Sequence, residues 1–136
     1  MCAVWWVTQL VAADSPRERL SLDAGWKFHL GDDWSGALRL DKAGASSGPA
    51  SEKLFSDVAW REVKLPHDWA VELPFDRNAE GSHGFKPVGP GLEKTSIGWY
   101  RRGFQLPKED ASKRIWLTFD GVFRDATVWV NGWLVR

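Results

Sequence analysis

Between Trp99 and Asn131 the chain alternates apolar and polar residues with a period of two. Tyr100, Arg102, Phe104 and Leu106 fall on one side of the stretch Trp99–Leu106. In Arg114–Asp120 the separation is cleaner, with Ile115, Leu117 and Phe119 on one side and Trp116, Thr118 and Asp120 on the other. Asp125–Asn131 sets Ala126, Val128 and Val130 against Thr127 and Trp129. Successive side chains of a strand point to opposite faces, so each stretch predicts a half-buried strand. Asn131-Gly132 then separates Val128-Trp129-Val130 from Trp133-Leu134-Val135. Both residues of that pair tolerate the positive φ of a two-residue type I′ turn, which predicts a β-hairpin.

Upstream the pattern is more broken. Leu20–Asp23 and Trp26–Leu30 predict short strands, punctuated by Asp23-Ala24-Gly25. Gly31–Ser51, with Gly, Ser, Ala, Pro and charges in no period, predicts a long surface loop, and Phe55–Trp60 a brief ordered turn. Trp60–Leu65 alternates again and predicts a strand that stops at Pro66. From Pro66 to Ile97, four prolines (Pro66, Pro74, Pro87, Pro90) and four glycines (Gly81, Gly84, Gly89, Gly91) interrupt any regular element. A loop of that length in a small domain is functional or disordered. Trp69, Phe75 and Phe85 within it predict local packing. No segment of useful length has helical period, and no internal repeat is present. Many strands with Gly/Pro-rich connections predict an all-β, antiparallel sandwich or barrel. The chain stops at Arg136, partway along the second hairpin strand. A sheet edge left without partners predicts a fragment rather than a complete small domain.

Composition narrows the function. Eighteen basic residues balance eighteen acidic ones, so nothing invites nucleic acid or an anionic membrane surface. Ten tryptophans exceed the packing needs of 136 residues. Each is a large apolar face with one donor, suited to a sandwich core or to stacking on a sugar ring. Cys2 is the one cysteine, and His29, His67 and His83 share no metal-ligand spacing, so neither a disulfide nor a metal site nor a cofactor is expected. Residues 1–13, MCAVWWVTQLVAA, are apolar, end in Val-Ala-Ala and precede the polar run Asp14–Arg19. They read as a signal-peptide remnant without its basic region, implying a secreted or periplasmic protein, or else as a buried first strand. They are too short to span a bilayer.

Candidate chemistry is sparse. Glycoside hydrolysis needs two placed carboxyl groups, yet Asp68, Glu72, Asp76, Glu80 and Glu93 have no local context that marks an acid or a nucleophile. Neither a Gly-x-Ser-x-Gly elbow, a calcium loop after Gly31-Asp32-Asp33, nor a phosphate-binding glycine loop is present. His67-Asp68-Trp69, directly after Leu65-Pro66, is the constellation that stands out. Asp68 can accept a sugar hydroxyl while Trp69 stacks on the ring; equally, Asp68 can accept loop N–H groups while Trp69 plugs the core. Arg101-Arg102 after Trp99-Tyr100 reads as part of a surface strand, with core residues one way and solvated charge the other.

Leu65-Pro66-His67-Asp68-Trp69, Gly98-Trp99-Tyr100-Arg101-Arg102 with Phe104, Phe119-Asp120-Gly121-Val122 and Val128-Trp129-Val130-Asn131-Gly132 occur here in this order. Together they resemble the N-terminal sugar-binding domain of glycoside hydrolase family 2, a jelly-roll or galactose-binding-like β-sandwich, from about Leu20 to Arg136. The Leu-Pro-His-Asp-Trp form and the long Gly/Pro-rich loop are most similar to the β-galactosidases. The resemblance implies a truncated accessory domain, residues 14–136, of a retaining exo-glycosidase acting on terminal β-galactosides. The two catalytic glutamates are then expected in a downstream barrel, beyond an immunoglobulin-like domain, and no catalytic residue is carried over to this chain. In some members the loop before Gly-Trp-Tyr reaches the sugar, which makes Asp68, Trp69, Thr95 and Ser96 the sugar-binding candidates. Thr95 stands near a point where an asparagine does this in a relative. The alternatives are a free-standing carbohydrate-binding module, or a purely structural sandwich of a β-glucuronidase or β-mannosidase.

Overall fold

The computed structural model describes residues 17–31, 56–123 and 125–135. The signal-peptide reading of residues 1–13 and the surface loop over 32–51 lie outside the described residues.

Strand β1 (Trp26–Leu30) is the middle of a three-stranded antiparallel sheet, flanked by β2 (Arg61–Val63) and β3 (Gly98–Arg101). Phe28 stands opposite Arg61 on one side and Tyr100 on the other; His29 stands opposite Trp99, and Lys27 opposite both Glu62 and Arg101. Alternation therefore gives one face Phe28, Arg61, Tyr100 and Gly98, and the other face Lys27, His29, Glu62, Trp99 and Arg101. The charged members of the second face are paired, Lys27 with Glu62 and Arg101 with Asp57, at 3.3 and 3.2 Å.

The hairpin forms as the Asn-Gly pair predicts. β4 (Val128–Val130) and β5 (Trp133–Val135) pair with Val130 opposite Trp133, and Asn131 and Gly132 take φ of 51° and 87°. Its Trp129 stacks on Trp99 of the sheet, ring centroids 5.8 Å apart. Trp99, Trp60, Ile97 and Trp129 form the core between the two units, and His29 stacks on Trp60. Several tryptophans thus take the packing role that their number left open.

Three expected strands come out differently. Leu20–Asp23 is irregular because side chains take its carbonyls: Trp26 Nε1 and the Arg102 guanidinium donate to Leu22 O, and Arg102 also reaches Ala24 O. The strand from Trp99 ends at Arg101 rather than Leu106, where its partner β1 runs out at Trp26. Arg101 and Arg102 are accordingly engaged by protein groups rather than solvated. Arg114–Asp120 has the right period but forms no ladder, since no strand runs beside it among the described residues, and Ile115, Leu117 and Phe119 stay exposed.

The segment Pro66–Ile97 is less featureless than its breakers predict. It holds two one-turn helices, α1 (Trp69–Glu72) and α2 (Glu93–Ser96), and a 3₁₀ turn at Gly81–His83. One turn needs only a cap and four residues, which fit between the prolines. The antiparallel pairing and the shortness of these helices make the described fold all-β. No helix of the described residues is long and apolar enough to cross a membrane.

Candidate functional site

The chain turns away from the sheet at Leu65-Pro66, whose peptide bond is cis, with Leu65 N donating to Asp23 O at 2.7 Å. Asp68 then sits in extended backbone as the N-cap of α1, its carboxylate accepting from Ala70 N at 2.9 Å. That bond satisfies one of the donors a helix start leaves open. The cap aims Trp69 back at the sheet, where its ring lies over Phe28 at 6.0 Å and tilts against Tyr100 at 6.2 Å. The close seat exists because position 98 is glycine: a Cβ there would stand 2.8 Å from Trp69 Cζ3.

Trp69 Nε1 donates to Thr95 O at 2.9 Å, which ties the start of the loop to its end. Thr95 Oγ1 in turn donates to Pro87 O and, at 3.3 Å, to Leu92 O. Ser96 Oγ donates to Gly89 O at 2.9 Å and accepts from Gly89 N at 2.7 Å. The fold therefore brings the four sequence candidates into one loop cluster, linked by the Trp69–Thr95 bond. The Asp68, Thr95 and Ser96 oxygens all bond loop backbone there.

A polar network beside this cluster was not legible in the sequence. Arg61 donates to both carboxylate oxygens of Glu72, at 2.6 and 3.2 Å, while its guanidinium lies 5.4 Å from the Phe28 ring centroid. His67 bridges inward: Nε2 is 3.2 Å from Glu72 Oε1 and Nδ1 is 2.6 Å from Tyr100 Oη. The Arg61 hydrogen bond holds the Glu72 carboxyl below its ordinary value, helped by His67, and Glu72 holds the guanidinium above its own. Because Glu72 is depressed in the fold, its contribution is present above the ordinary carboxylate range and is lost as pH falls through the depressed value. The ion pair is half exposed, so its part in stability is small.

Burial, reinforced by the negative charges of Asp68 and Glu72, pushes the Tyr100 phenol up from 10.0 to about 12. A raised folded-state value means stability held below the ordinary tyrosine pKa and lost as pH climbs from there through about 12. Tyr100 is the chain's one tyrosine, so the pH-dependent rise in phenolate absorbance reports it with no other tyrosine contributing. The titration midpoint is expected near 12 in the folded chain. A midpoint near 10, the value of a free phenol, would show that the Trp69–Phe28 packing does not cover it.

The remaining loop acids are also committed locally. Asp76 accepts from Asn78 N at 2.9 Å, and Glu80 accepts from Ser82 Oγ at 3.2 Å; the side chain of Glu93 lies outside the described residues. Among the described residues no group of three or more His, Cys, Asp and Glu is arranged to hold a metal ion. Phe85 is the backbone outlier of the loop, with φ of 57°. For an aromatic residue the left-handed region costs about 1–2 kcal/mol.

No family model matches the chain. It is 38% identical over 119 residues to the β-galactosidase BoGH2A of Bacteroides ovatus, an alignment that covers 87% of this chain and 12% of that protein. A β-galactosidase of Arthrobacter sp. (strain B7) is 28% identical, with 88% of this chain and 13% of the relative covered. A β-glucuronidase of Formosa agariphila is 27% identical, with 90% and 11% covered. The chain thus spans only 11–13% of these curated relatives. Along nearly all of its length it is similar to a short segment of glycosidases, as its motifs imply.

Proposed function

We propose that the chain is the N-terminal accessory sandwich, of jelly-roll type, of a retaining exo-glycosidase of glycoside hydrolase family 2 that hydrolyses terminal β-galactosides. The observation that carries this reading is the 38% identity to a β-galactosidase along 87% of the chain. The site supports a positioning role. Asp68 caps a helix, Glu72 pairs with Arg61, and Thr95 and Ser96 bind the loop to itself. No two of these groups are left as the acid and nucleophile that retention requires. The acid and nucleophile then belong to a barrel elsewhere in the parent enzyme, and the apolar residues 1–13 favour export from the cytoplasm.

In this reading the Pro66–Ile97 loop is a rigid rim that the sheet presents to substrate. The test is hydrolysis of a chromogenic β-galactoside by the 136-residue chain and by its full-length parent. Turnover by the parent with an inert chain is expected. Turnover by the chain alone would overturn the accessory role, and a parent active only on β-glucuronides would move the substrate. In an active parent, Thr95→Ala distinguishes a rim that touches sugar, which raises KM, from one that is only scaffold, which leaves KM and kcat alone.

A further inference from the structure

Phe75 and Phe85 form the walls of an open cleft of about 430 Å³ with Arg77 at its edge. Phe75 is 77% exposed and Phe85 52% exposed, although both are large apolar rings and Trp69, the third aromatic of the loop, packs on the sheet. They are not loosely placed. Asp76 N donates to Phe85 O at 2.8 Å, which fixes the two walls relative to each other. Lys86 Nζ lies 4.1 Å from the Phe75 ring centroid and donates to Val71 O and Leu73 O, which holds one side of that ring. The Phe85 ring rests on Gly81, with Cζ 3.6 Å from where a Cβ would stand.

Phe85 reaches this position only through its left-handed backbone, which asparagine or glycine would adopt with less strain. A strained, exposed and braced aromatic is what a binding surface maintains and a folding scaffold does not need. Arg77 makes no hydrogen bond or ion pair among the described residues. The nearest acids in sequence, Asp76 and Glu80, are bonded to Asn78 N and Ser82 Oγ instead. The cleft thus combines two phenyl faces with a planar cation that is uncommitted among the described residues.

We propose that this cleft is a subsite for a single sugar ring bearing a carboxylate, with the C–H face of the ring against Phe75 and Phe85 and the carboxylate on Arg77. A guanidinium fork matches a carboxylate with two parallel hydrogen bonds. The volume lies within the range for ligand sites, and two phenyl faces with one guanidinium match the face and the acid of one ring. The choice of a sugar rests on the glycosidase reading above; the cleft and its charge do not.

The full-length protein is titrated calorimetrically with methyl β-glucuronide and with its neutral counterpart, methyl β-glucoside. The uronide is expected to bind about tenfold more tightly, and Arg77→Gln to abolish that preference. Phe85→Asn is expected to weaken both ligands about tenfold while leaving the melting temperature unchanged or higher, because asparagine relieves the backbone. Equal binding of the two ligands, or a preference that survives Arg77→Gln, overturns the subsite. Hydrolysis of a chromogenic β-galactoside is followed on the same preparation. Hydrolysis without uronide preference removes the subsite alone, whereas preference without hydrolysis of the β-galactoside supports the subsite and removes the β-galactoside reading.

Discussion

Trp99→Ala is expected to lower the stability of the folded domain by about 3–5 kcal/mol, the usual cost of emptying a buried tryptophan site. Trp99 is 8% exposed and is one of three buried hydrophobic residues, with Phe28 and Trp60, among those described. It stands opposite His29 in the sheet and stacks on Trp129 of the hairpin, so one ring joins the two β units. Alanine leaves the hairpin without its anchor as well as leaving a cavity. Since a whole domain is stable by only about 5–15 kcal/mol, the variant approaches the limit of folding. Urea denaturation measures it, with Trp116→Ala as the matched control. Trp116 is 76% exposed, and its removal is expected to stay within about 0.5 kcal/mol. A loss below about 1 kcal/mol for Trp99→Ala would mean that the sheet and hairpin do not share a core.

Nothing in the alternation of hydrophobic residues ranks Trp99 above Trp116. Both stand in period-two stretches, and the difference arises because β1 lies beside one of them while no strand lies beside the other among the described residues. Strand formation is a property of pairs, and one stretch of sequence shows only half of a pair. The hairpin escapes this limit because both of its strands and the turn that sets their register fall within a few residues. The same distinction divides the site. That Asp68 can accept loop N–H groups is legible because Ala70 N lies two residues away, although the one-turn helix it caps is not. The Arg61, Glu72, His67 and Tyr100 network is not, because Arg61 and Tyr100 meet only through Phe28, which registers against both. The Phe75–Phe85 cleft is likewise invisible until the Asp76–Phe85 bond folds the loop back on itself.

Gly98→Ala is the second substitution expected to act strongly, with a loss of about 1–3 kcal/mol as for other overpacked sites. The new Cβ would stand 2.8 and 2.9 Å from two Trp69 ring carbons and 3.1 Å from Phe28 Cε2. The ring has little room to yield, being held between Phe28, Tyr100 and the Thr95 carbonyl. Relief therefore requires Trp69 to lift off the sheet and give up its bond to Thr95 O, which releases the end of the loop that α2 occupies. A double-mutant cycle isolates this cause. Once Trp69→Leu has removed the indole, adding Gly98→Ala is expected to cost little more, giving a coupling of about 1 kcal/mol or above. Gly103 is the control, with nothing within 4 Å of an added Cβ and an ordinary backbone. Gly103→Ala is expected to be neutral or to stabilise by up to about 1 kcal/mol through the unfolded chain. If Gly98→Ala proves as harmless as Gly103→Ala, the indole is not seated on the strand. The packing of Trp69 on Phe28 and its bond to Thr95 O would then not hold the two ends of the loop against the sheet.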